Sequence, residues 1–98
     1  MATYITTMHF TEQGIKAVRD TCERAAAFKA TAKKLGVKVT GIYWTLGVFD
    51  GVIVSEAPDE ETATAALLHL GSLGNIRTQT ARAYDPAEMR KILGLLPR

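Results

Sequence analysis

Asp50 is the residue best suited by type to do chemistry, a carboxylate directly after the uncharged run Val39–Phe49 that carries Tyr43, Trp44 and Thr45. It could serve as a general base or anchor a ligand, and it could equally stabilise a turn through an Asx-type hydrogen bond. Tyr43 and Trp44 would line any cleft that opens beside them; otherwise they bury area in a core or an interface. His9 ends a β-rich run, on the face that carries Ile5 and Thr7, where proton transfer is conceivable, whereas His69 falls in the last turn of a helical segment and suits the dipole there. Arg82 shares a strand face with Thr78, Thr80 and Tyr84 and could hold an anionic ligand or a partner's carboxylate, against the plainer reading of exposed edge-strand charge. Asp50 and His9 are thus the candidate catalytic groups, with Tyr43, Trp44, Thr45 and Arg82 as candidate ligand-binding groups. Cys22, beside an apolar stripe, reads as a small buried side chain.

Several chemistries are disfavoured. Two histidines and one cysteine give no metal-ligand spacing, so no metal and no cofactor are expected. There is no Gly-rich phosphate loop and no recognisable nucleophile motif. Twelve Lys and Arg against ten Asp and Glu leave a charge of +2, too weak to argue for nucleic acid. The βαββαβ RNA-binding modules need a basic, aromatic-rich third strand, and Phe49-Asp50-Gly51-Val52-Ile53-Val54 offers one aromatic and an acid. The start of the chain lacks a signal-peptide pattern and no apolar run is long enough to span a bilayer, so a soluble, cytoplasmic protein without a membrane partner is expected.

Elements must position these groups. Thr3–Phe10 reads as a strand, and Thr11 caps the helical segment that follows. Over Ile15–Leu35 the apolar positions drift by roughly 200° at about 100° per residue, so one straight helix cannot bury them all. A break is predicted at Asp20, which caps a new helix with Glu23 in capping-box spacing. Gly36 stops that helix. Val37–Leu46 and Phe49–Ala57 read as strands joined by a Gly47-Val48 type II′ turn, which pairs Leu46 with Phe49, Thr45 with Asp50, Trp44 with Gly51 and Tyr43 with Val52. Gly51 would leave room for the Trp44 indole. Asp59 caps a helix with an Ala63, Ala66, Leu67 and Leu70 stripe, Ile76–Tyr84 is a strand, and Asp85-Pro86-Ala87-Glu88 opens a last short helix.

The sum is a single domain over 1–98, an α+β ferredoxin-like βαββαβ fold with a four-stranded antiparallel sheet, helices on one face and a short C-terminal helix. Ile42, Trp44 and Ile53 lie on one face of the central hairpin and Tyr43, Val52 and Val54 on the other. A solvated face would carry more polar residues, so a second copy of the chain is expected to cover it, with Leu95 and Leu96 as an apolar tail under the same partner.

Tyr43-Trp44-Thr45-Leu46-Gly47-Val48-Phe49-Asp50-Gly51, with Glu56-Ala57-Pro58-Asp59, Gly74-Asn75-Ile76-Arg77-Thr78 and Phe10-Thr11-Glu12-Gln13-Gly14, resembles the GYD-domain family. The Gly-Tyr-Asp element stands here as Gly47, an extra Val48, then Phe49-Asp50, with Phe in the Tyr position. The resemblance implies a dimeric α+β barrel in which the sheets of two subunits face each other. It implies little about activity, because a fold hosts many functions. The expected function is a homodimer that binds a small, partly apolar molecule. The alternative is a cofactor-independent enzyme of monooxygenase or isomerase type, in which Asp50 or His9 moves a proton while Tyr43 and Trp44 stack on an aromatic substrate.

Overall fold

The computed structural model describes residues 1–98. Its elements are β1 (Ala2–Phe10), α1 (Glu12–Lys16), a 3-10 turn (Val18–Asp20), α2 (Thr21–Lys34), β2 (Lys38–Trp44), β3 (Gly51–Ala57), α3 (Glu60–Ser72), β4 (Ile76–Ala83) and α4 (Pro86–Leu93). The four strands form one antiparallel sheet in the order β2-β3-β1-β4, the ferredoxin-like arrangement that the element order predicts.

Local chemistry sets the helix ends. The Thr11 hydroxyl accepts the Gly14 N–H, the Asp59 carboxylate accepts the Thr62 N–H, and Asp85 and Glu88 complete a reciprocal capping box. Gly36, at φ +86°, turns the chain after α2 where a side chain would be strained. The break near Asp20 is present as the 3-10 turn, but the capping box expected there is not. Asp20 sits at φ −94°, ψ 6° and its side chain caps nothing, because the turn feeds straight into α2. Cys22 is exposed, contrary to the buried position expected.

The core lies between the sheet and α2 and α3. Tyr4, Met8, Val39, Ile53, Ala57 and Ile76 of the strands are buried against Phe28 and Ala32 of α2 and Ala63, Ala66 and Leu70 of α3. The alanines hold little volume, which lets the helix backbones approach the strands. Thr6 is completely buried within this layer, and its hydroxyl is paired with that of Thr80 at 2.8 Å. Ile5, Thr7, Tyr43, Val52 and Val54 alternate onto the opposite face, which no helix covers; Tyr43 is 62% exposed there.

The hairpin register is as predicted from Ile42–Ile53 to Trp44–Gly51, but the two-residue turn is absent. Thr45 still meets Asp50, its N–H donating to the Asp50 carbonyl at 2.9 Å, whereas Leu46 and Phe49 do not pair and the chain between them projects as a loop. Asp50 is the cause. Its N–H donates to the Met8 carbonyl at 2.8 Å, which draws the start of the third strand towards β1. The space over Gly51 is occupied by the Met8 methyl, so the Trp44 indole turns instead towards α2 and donates to the Thr21 hydroxyl at 3.1 Å.

Candidate functional site

Three segments far apart in sequence converge where β1 ends. The Thr11 N–H donates to the Asn75 carbonyl at 3.1 Å, and the Thr11 hydroxyl donates to the Gly74 carbonyl at 2.6 Å. Gln13 Nε2 reaches the Leu73 carbonyl and Asn75 Oδ1. Gly14 must be glycine, because a Cβ there would collide with the Asn75 carbonyl. On the other side of β1 the Asp50 carboxylate accepts the Phe10 N–H at 2.8 Å. Asp50 therefore continues the β1–β3 ladder by one side-chain bond beyond its last backbone pair.

Beside this junction a cavity of about 250 Å³ opens between the sheet and the α2–α3 layer. Its walls are Met8, Ile42, Trp44, Ile53 and Ile76 from the strands, Ala25, Ala27 and Phe28 from α2, and Leu70 with Leu73 from the end of α3. The polar lining residues are Thr21, Arg24 and Asn75, from the starts of α2 and β4. Arg24 donates from Nη1 to the Ala17 carbonyl at 2.8 Å and from Nη2 to the Gly14 carbonyl at 3.3 Å. The ion pairs of the chain are Lys16–Glu12 and Arg82–Glu88, so Arg24 faces the cavity with no carboxylate partner.

The predicted site residues are divided between two faces and two ends of the sheet. Asp50, His9 and Thr45 gather around the projecting loop: His9 Nε2 donates to the Val48 carbonyl at 2.9 Å, and the Thr45 hydroxyl donates to the Phe49 carbonyl at 2.6 Å. Tyr43 stands nearby on the open face. Trp44 lies on the helix side and lines the cavity. Arg82 is at the far end of β1, opposite Tyr4, where it pairs with Glu88 at 2.7 Å and donates to the Ala83 carbonyl. Its guanidinium also lies 4.6 Å from the Tyr84 ring centroid. This hydrogen-bonded pairing holds the Glu88 carboxyl below its ordinary value, with the Asp85 N–H adding to the effect, and raises Arg82 in turn. A second groove of about 430 Å³ runs between α3 and β4 past Arg82 and Tyr4, whose hydroxyl is buried without a hydrogen-bond partner. Nowhere do three side chains among His, Cys, Asp and Glu gather in a way that could hold a metal ion, and no helix is long and apolar enough to cross a membrane.

The sequence pattern of the GYD domain matches residues 4–93. The chain belongs to the GYD-domain family. A relative from Thermus thermophilus, named a glutamine synthetase and cystathionine beta-lyase binding protein, is 33% identical over 90 residues, which is 91% of this chain and 95% of the relative. No solved structure matches. Three of the four segments that carry the GYD resemblance, 10–14, 43–51 and 74–78, meet at the junction and along the cavity wall, whereas 56–59 lies at the other end of the sheet, where Ala57 pairs with Ala2. Arg24, Phe28, Leu70, Leu73 and Asn75 were not foreseen as site residues. The three-and-four spacing of Ala25, Phe28 and Ala32 was the available signal for an α2 face with small side chains and room beside them.

Proposed function

We propose that this GYD-family protein is a binding protein that works as a homodimer and docks on metabolic enzymes of the kind its relative is named for. The similarity to that relative over 95% of the relative's length is the observation that carries the reading. The docking element is the loop between β2 and β3, where Leu46 and Val48 stand almost fully exposed at a tip that a solitary domain has no reason to make apolar. The second copy covers the open sheet face. Catalysis by Asp50 or His9 is the weaker reading, since both groups are engaged with backbone and neither lines the cavity. The test is co-elution with purified glutamine synthetase and cystathionine beta-lyase of the same organism on a sizing column with light scattering. A complex with either, lost in Leu46→Ser/Val48→Ser at unchanged melting temperature, is the expected outcome; independent elution from both rejects the reading.

The apolar cavity under Trp44 favours a second, compatible reading, in which the protein holds a small, partly apolar molecule between sheet and helices. Native mass spectrometry of the freshly purified protein tests it through a ligand that leaves on denaturation.

A further inference from the structure

We infer that the cavity beneath Trp44 is a site for a small monocarboxylate with a hydrocarbon body, whose carboxylate meets Arg24. The inference rests on the small-molecule reading of the cavity and assigns its ligand class. Size sets the first limit. An apolar cavity of about 150 Å³ holds benzene, so about 250 Å³ takes a body of roughly eight to ten carbons. Chemistry sets the second. Met8, Phe28, Ile53, Leu70 and Ile76 offer the buried part of a ligand nothing but dispersion and release of water.

The polar side chains come from one end of the site. There the half-buried Arg24 uses two of its five N–H donors, on the Gly14 and Ala17 carbonyls, and has no carboxylate of its own chain to neutralise it. On its own chain the guanidinium is met only by these two neutral carbonyls, and a carboxylate would add the opposite charge through its remaining donors. Asn75 and Thr21 stand beside it as further polar groups. The two carbonyls fix the guanidinium in place, so little entropy is lost when the anion arrives.

Trp44 is the single tryptophan of the chain and forms part of the cavity wall, so its emission reports occupancy directly. Titration of the full chain with octanoate, 3-phenylpropanoate and octan-1-ol is the test, with methyl NMR shifts of Met8, Ile42 and Ile53 to locate the ligand. Saturable binding of at least one acid, about tenfold or more tighter than the alcohol, is expected, because one charged hydrogen-bonded contact is worth that much. The two acids distinguish a straight chain from an aryl body. Arg24→Met should remove the preference for the acid and leave the alcohol unaffected. Because Arg24 also braces α1, a second variant, Ala25→Leu, narrows the cavity with the guanidinium intact and should weaken all three ligands. Equal affinity for acid and alcohol overturns the carboxylate assignment while the apolar site stands. Absence of saturation with every probe overturns both, as do ligand-free methyl shifts that follow protein concentration, which mean that a second copy fills the cavity.

Discussion

Asp50 holds the end of β1 through one hydrogen bond from Phe10, and its substitution separates a structural carboxylate from a catalytic one. Asp50→Ala leaves a half-buried N–H without an acceptor and should cost about 1–3 kcal/mol, while Asp50→Asn keeps an acceptor and should cost clearly less, as measured by urea unfolding. A catalytic base would instead lose its role in both variants alike. Gly14→Ala forces a methyl into the Asn75 carbonyl, and backbone cannot yield as a flexible side chain does, so a loss of about 3 kcal/mol or outright failure to fold is expected in the same assay. Thr11, Asp59 and Asp85 are legible as caps in the sequence because a cap bonds within three residues of itself. The partner of Asp50 is not, because it lies 40 positions away on another strand, nor is Arg24, whose interest depends on the absence of any nearby carboxylate.

The same contrast holds for elements. The break between α1 and α2 was legible because a drift of apolar positions around a helix is a property of the sequence itself. The projecting loop was not, since Gly47-Val48 suits a tight turn locally and the pull of β1 on Asp50 is a tertiary effect. α4 is the element most exposed to a change of conditions. It buries no residue of its own and is tethered by the Arg82–Glu88 pair and by the capping box that Glu88 completes. Glu88 is held below its ordinary value in the folded chain, so its contribution is present above the unfolded value near 4.5 and is lost as pH falls through the lower folded value. Amide exchange across that acid range should therefore show α4 losing protection while β1 and β3 keep theirs. Glu88→Gln should weaken the tether at neutral pH and flatten this dependence; parallel loss in α4 and β1 would mean that the whole fold, rather than the tether, responds to acid.

At the scale of the molecule the chain is a thin plate, 53 × 31 × 18 Å, with a radius of gyration of 14.9 Å where a compact chain of 100 residues has about 13 Å. Its shortest dimension accommodates one sheet and one layer of helices, and sixteen of 98 residues are buried. The uncovered face presents Ile5, Tyr43, Val52 and Val54, which is why pairing with a second copy is expected. The sheet alone is too small for that task. Four strands about 4.8 Å apart and about seven residues long span roughly 450 Å² in the plane, against about 800 Å² per partner in a stable interface. The remaining area would have to come from outside the sheet, and the exposed Met89, Leu93, Leu95 and Leu96 of α4 and the tail are apolar groups available for it. A chain ending at Tyr84 should therefore keep its core, because α4 contributes no buried residue, yet behave as a monomer at a concentration where the full chain is a dimer in light scattering. Tyr43→Lys/Val54→Lys should dissociate the full chain at unchanged far-ultraviolet circular dichroism. If both variants remain dimeric, the open face is not the interface. If the parent chain is monomeric at micromolar concentration, the proposal of a homodimer fails.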